Sequence, residues 1–141
     1  MIRVARAGGL VAGYVWDYAG EMQMLRFFWD AAMTLDPALS GPNQAERFPI
    51  CQPEPLAALF AGAGLSAVAV SAIDVPTHFA NFDDYWQPFL LNGPAPAQRY
   101  VASLDAEKRL SLRERLRTGL PIAADGAISL IARAWAVRGT A

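Results

Sequence analysis

Three apolar, β-branched runs set between stretches of helical periodicity make this 141-residue chain an α+β protein, with about three strands and three to four helices. Pro and Gly fall at the borders of these stretches, so punctuation and periodicity agree. The apolar fraction of 54% suffices for a packed core, and one domain over residues 1–141 is expected.

The first run, Leu10 to Tyr18, is almost unbroken apolar, aromatic and β-branched sequence. Such a run predicts a central strand covered on both faces. From Met22 to Leu35, Leu25, Phe28, Trp29, Ala32 and Leu35 recur at helical spacing, and Asp36-Pro37 ends the helix. Met24, Phe27 and Ala31 make its other side apolar too, so few of its faces are wet. Ser40 to Pro49 reads as a loop, holding Gly41, Pro42, Asn43 and Pro49.

Pro53 and Pro55 open a second helix, where the first-turn amides lack intrahelical partners anyway. Its apolar face is Leu56, Leu59, Phe60 and Ala63, and Gly64 is placed to cap it in a left-handed conformation. Leu65 to Val75 is the second strand, expected to stop at Asp74-Val75-Pro76 because proline withdraws a ladder donor. Thr77 to Asp125 is an aromatic insert carrying Phe79, Phe82, Tyr85, Trp86 and Phe89, then Gly93-Pro94-Ala95-Pro96. Within it Ser103 can cap a helix whose first turn holds Asp105 and Glu107, closed by Gly119 and Pro121. After the Asp125-Gly126 turn, Ala127 to Val137 alternates as the third strand.

A net charge of −1 supplies no basic footprint for nucleic acid or an anionic membrane, which leaves a small molecule or another protein as partner. The single Cys51 cannot form an internal disulfide and has no Cys or His at metal-ligand spacing. No metal site is expected, and a reduced thiol fits a cytoplasmic protein. There is no run of about 18 apolar residues and no signal-peptide order at the amino terminus.

The opening residues, Arg3-Val4-Ala5-Arg6-Ala7-Gly8-Gly9, resemble the Arg-Val-Leu-Arg-Pro-Gly-Gly segment that leads into the fifth strand of Rossmann-type, class I S-adenosylmethionine-dependent methyltransferases of the type 11 group. Ala5 and Ala7 replace the usual Leu and Pro. Leu59-Phe60-Ala61-Gly62-Ala63-Gly64-Leu65 is similar to the same family's approach to its sixth strand. The resemblance implies that Leu10 to Tyr18, Leu65 to Val75 and Ala127 to Val137 are the fifth, sixth and seventh strands of a partial Rossmann-like fold. The seventh would lie antiparallel between the other two. Residues 77–125 would then be a substrate cap between the last two strands.

The family's cofactor grip is a Gly-rich turn after its first strand and an acidic residue ending its second. Neither is found, since Gly8-Gly9 and Gly62-Ala63-Gly64 are too short and wrongly placed. The resemblance therefore implies the carboxy-terminal half of an enzyme that methylates a small molecule, inactive alone, with S-adenosylmethionine the parent's cofactor and none bound by this chain itself. Its partner would be a chain supplying the amino-terminal half, or a second copy that covers the exposed first strand as a homodimer. A non-catalytic dimeric interaction or small-molecule-binding module derived from the cap is the alternative.

Candidate site residues carry two readings each. Asp17, at the carboxyl end of the first strand, can orient a nucleophile or take its proton, or it is a surface carboxylate. His78, the only histidine, can act as a base near neutrality or be incidental in a loop. Trp16, Tyr18, Tyr85 and Trp86 can line an acceptor pocket or pack the core. Arg109, Arg113 and Arg117 form a helical stripe, read as an ion-paired, solvated face.

Overall fold

A computed structural model describes residues 5–39 and 48–141. Arg3 and Val4 of the amino-terminal motif, and residues 40–47 of the predicted loop, lie outside the described residues. The architecture is α+β, with five α-helices among the described residues and a three-stranded antiparallel sheet. No helix among the described residues is long and apolar enough to cross a membrane. Packing divides the chain into two compact units. The first holds Met1–Met22, Pro42–Val75 and Ala132–Ala141, and the second holds Gln23–Gly41 and Pro76–Ile131.

In the first unit, strand β1 (Leu10–Trp16) pairs antiparallel with β3 (Ile128–Thr140), in register from Leu10 opposite Thr140 to Trp16 opposite Ala134. Strand β2 (Ser66–Phe79) lies on the other side of β3, giving the order β1-β3-β2. Helix α1 (Gln23–Leu35) follows β1 in the chain, and α2 (Pro53–Gly62) precedes β2. Gly64, with φ of +88°, ends the approach from α2 in the left-handed conformation that glycine adopts without steric cost. A short 3-10 turn at Pro49–Cys51 packs on α2 and touches β1.

Period-two alternation sorts β1 into two sets. Val11, Gly13 and Val15 are buried or half-buried, and Phe60 of α2 lies 3.9 Å from where a Gly13 Cβ would sit. Leu10, Ala12, Tyr14 and Trp16 alternate with these and are exposed. The expectation of a central strand covered on both faces is therefore corrected: among the described residues β1 is an edge strand with one open face. Its apolar run is continuous because the open face is as hydrophobic as the covered one, and the run alone cannot separate the two cases.

The proline stop is also corrected, since β2 continues through Pro76 to Phe79. An edge strand tolerates proline where no ladder bond is lost, and β2 is an edge. Arg133 of β3 grips Asp74 of β2 through two hydrogen bonds of 2.6 and 2.8 Å. That fork-to-carboxylate bond, with the guanidinium charge, holds the Asp74 carboxyl below its ordinary range.

The second unit contains α1, α3 (Phe82–Leu90), α4 (Pro96–Ser103) and α5 (Ala106–Gly119). Three of these, α3, α4 and α5, lie within what the sequence offers as one insert. Gly93, Pro94 and Ala95 separate α3 from α4, and Asp105 starts α5 by accepting the Lys108 amide at 2.8 Å. Ser103 is not that cap, because it ends α4 and donates to the Tyr100 carbonyl. Asn81 caps α3 in the same way, accepting from the Asp84 amide at 3.0 Å.

Helix α1 packs against α5 and α4 around a buried cluster that includes Phe28, Tyr85, Trp86, Phe89, Leu112, Leu116 and Ile128. Phe28 is fully buried and stacks on Phe89, with ring centroids 4.4 Å apart and planes 20° from parallel. Phe28→Ala removes this stack and leaves a cavity. We expect it to lower the unfolding free energy by about 3–5 kcal/mol in urea denaturation, and a loss under about 1 kcal/mol would show that the cluster is not the core.

Candidate functional site

The carboxyl end of β1 brings Trp16, Asp17 and Tyr18 beside Phe48 and Cys51. Asp17 is the one charged residue among the buried side chains of the described residues, at 6% exposure. Its amide donates to the Arg133 carbonyl at 2.9 Å, which extends the β1–β3 ladder by one residue. Its carboxylate then accepts the backbone amides of Gly20 at 2.9 Å and Glu21 at 3.0 Å, and its carbonyl accepts the Met22 amide. Each bond closes the loop after β1 onto a single residue. Asp17 holds that loop, and the expectation of a surface carboxylate is corrected, because its side chain is buried and bonded to two loop amides.

Gly20 has the room that this closure requires. A Cβ there would lie 2.7 Å from Asp17 Oδ2, closer than side-chain contacts allow. The same observation tests the cofactor. The loop after β1 is the place where a strand and a glycine precede a helix, but the Gly20 and Glu21 amides already serve a carboxylate of this chain. Those two amides are therefore not free to bind a second anionic group such as a cofactor carboxylate.

Trp16 and Tyr18 are each 37% exposed, and the Tyr18 ring meets Phe48 at 6.1 Å and 47°. They offer a partly exposed aromatic surface. Cys51 is buried, and burial pushes its thiol above the ordinary value, helped by the negative charge of Asp17. A thiol held in its neutral form is a poor nucleophile.

The other candidates lie in the second unit. His78 is exposed on β2, and its Nδ1 stands 3.1 Å from Ser129 Oγ on β3. Sequence reading places His78 in a loop and misses Ser129; the signal was the β2–β3 register, which no local pattern encodes. Tyr85 is fully buried and donates its hydroxyl to the Met24 carbonyl at 2.8 Å, and burial drives that hydroxyl far above its ordinary pKa. Trp86 is 4% exposed in the core, with an edge on an open groove of about 650 Å³ that Asn81, Asp83, Gln87, Leu90 and Arg113 also line.

The charged groups of that groove are engaged with one another. Arg113 donates to Asp83 at 2.6 Å and lies over the Phe82 ring at 5.3 Å, while Arg117 covers the same ring at 4.4 Å and pairs with Glu114. Asp84 accepts the Ala80 amide. Arg109 donates to the Leu104 carbonyl, and the partner of Asp105 is Lys108, not Arg109. Arg113 and Arg117 thus pack their helix against α3, while Arg109 serves the turn before its own helix.

Among the described residues no group of three His, Cys, Asp or Glu side chains gathers as a metal site. Asp17→Ala should cost about 1–3 kcal/mol in chemical denaturation, because two loop amides lose their acceptor. Asp17→Asn should recover part of that loss, because its side-chain oxygen can still accept one of the amides. Equal stability of the wild type and Asp17→Ala would return Asp17 to the list of functional candidates. Compared with known protein families and with curated proteins, the chain matches none.

Proposed function

We propose that this chain is the acceptor-side, carboxy-terminal part of a class I methyltransferase fold, whose complete enzyme transfers a methyl group from S-adenosylmethionine to a small molecule. The observation that carries the reading is the strand order. β3 runs antiparallel between β1 and β2, so β1 and β2 are parallel to each other with a reversed strand inserted between them. That arrangement is what the sequence resemblance implies for the fifth, seventh and sixth strands. The left-handed Gly64 between α2 and β2 adds support, as does the helical, aromatic-rich segment between β2 and β3.

On this reading the chain supplies no grip for the cofactor. The loop after β1 is closed by Asp17, and the 141 residues hold no Gly-rich turn of the family's kind. Catalysis would need a segment that carries such a turn, and the contribution of this chain would be to hold the acceptor in line with it. Positioning of two reactants can supply much of such a rate enhancement without a dedicated base.

Calorimetric titration of the purified chain with S-adenosylhomocysteine should give no saturable heat. Saturable micromolar binding would overturn the reading that the cofactor half is missing from these residues. Affinity purification from the native host should recover a polypeptide carrying the Gly-rich strand-turn-helix, and its absence under conditions that retain other complexes would count against the methyltransferase assignment.

A further inference from the structure

We infer that the outer edge of β1 pairs with the same edge of a second copy, joining two three-stranded sheets antiparallel about a two-fold axis at Gly13. The inference rests on the geometry of that edge, and a second copy there is the alternative to a chain supplying an amino-terminal half.

Among the described residues no strand pairs with β1 on the side away from β3. Natural edge strands are protected by charge, proline or a bulge, and Leu10-Val11-Ala12-Gly13-Tyr14-Val15-Trp16 contains no charge and no proline and keeps an unbroken register with β3. The hydrogen-bonding phase is also determined. Asp17 donates to Arg133, so by the period of two Val11, Gly13 and Val15 direct their backbone groups to β3. Leu10, Ala12 and Tyr14 direct theirs outward.

An antiparallel partner must match outward-facing residues with outward-facing residues. Centring the two-fold axis on Gly13 does this over the whole strand: Ala12 bonds Tyr14 of the second copy, and Leu10 meets its Trp16, whose amide remains available although its carbonyl already accepts Tyr18. Side chains then meet by size. Small Ala12 lies beside large Tyr14 and Leu10 beside Trp16 on the open face, Val11 meets Val15 on the α2 face, and the two glycines meet at the axis.

Tyr14 and Leu10 are 70% and 67% exposed, the most exposed large apolar residues among the described ones. Pairing the edges covers both. The alternative of stacking the open faces is disfavoured because Arg138, opposite Ala12, stands on that face of the central strand and would be buried against its own copy. Seven residues per copy with two aromatics each bury on the order of 1,000 Å² in total, near the lower end of specific interfaces, so the dimer should be concentration-dependent.

Sedimentation of the full chain across concentration should show its mass rising from 15.2 kDa to twice that value. Tyr14→Lys, on an exposed position, and Ala12→Pro, which removes an outward amide without touching the β3 ladder, should both hold the chain as a monomer with unchanged circular dichroism. Gly13→Cys in a Cys51→Ala background should form a disulfide dimer on mild oxidation, because an antiparallel non-hydrogen-bonded pair sets its Cα atoms about 4.5 Å apart. A wild type that stays monomeric throughout overturns the proposal. So does a dimer that survives Tyr14→Lys, or a Gly13→Cys variant that dimerises without cross-linking. If Ala12→Pro fails to fold, the Tyr14→Lys and Gly13→Cys results decide.

Discussion

The pairing of β3 with a strand on each side is the constraint on which the rest of this structure depends. Among the described residues it is the one strand with two neighbours, and both β1 and β2 are edges because of it. Arg133 concentrates the constraint in one residue. Its carbonyl accepts the Asp17 amide, its own amide donates to the Glu21 carbonyl, and its guanidinium forks onto Asp74. Backbone and side chain of a single position thereby fix β1, the loop after it, and β2. The Asp17 knot depends on this, since Asp17 reaches its buried position only as the last residue of the β1–β3 ladder.

The second unit is held differently. Among the described residues, its core is a cluster of aromatic and aliphatic side chains drawn from α1, α3, α4, α5 and the first residues of β3, with no ion pair in its interior. The polar groups at its surface are satisfied locally, by the Asn81 and Asp105 caps and by the arginines that fold over Phe82. Such a unit gains its stability from burial. The charged groups of its groove are already engaged, Arg113 with Asp83 and Asp84 with the Ala80 amide, which leaves few charges to orient a ligand. That is why the functional reading rests on the strand order and not on a catalytic constellation.

Much of the fold was legible in the sequence because its signals are local. Periodicity located α1 almost to the residue, Pro53 opened α2, and Gly64 has the positive φ that a cap at that position requires. What was not legible depends on neighbours. Pro76 reads as a stop unless β2 is known to be an edge, and Leu10 to Trp16 reads as doubly covered unless its partners are known. Ser103 and Asp105 are both good caps, and only the break between α4 and α5 chooses Asp105. The site was harder still. The role of Asp17 lies in two amides three and four residues onward, the bond between His78 and Ser129 is set by register, and Tyr85 and Trp86 carry the same composition whether they line a pocket or fill a core.

Backbone amide exchange followed by NMR in dilute protein tests the central claim most directly, because a strand between two partners and a strand at an edge leave different patterns. The account predicts slow exchange throughout Ala134 to Gly139 of β3, slow exchange at Val11, Gly13 and Val15, and fast exchange at Ala12 and Tyr14, whose amides face outward. Slow exchange at Ala12 and Tyr14 under conditions where the protein is monomeric, or fast exchange at alternate residues of β3, would contradict it.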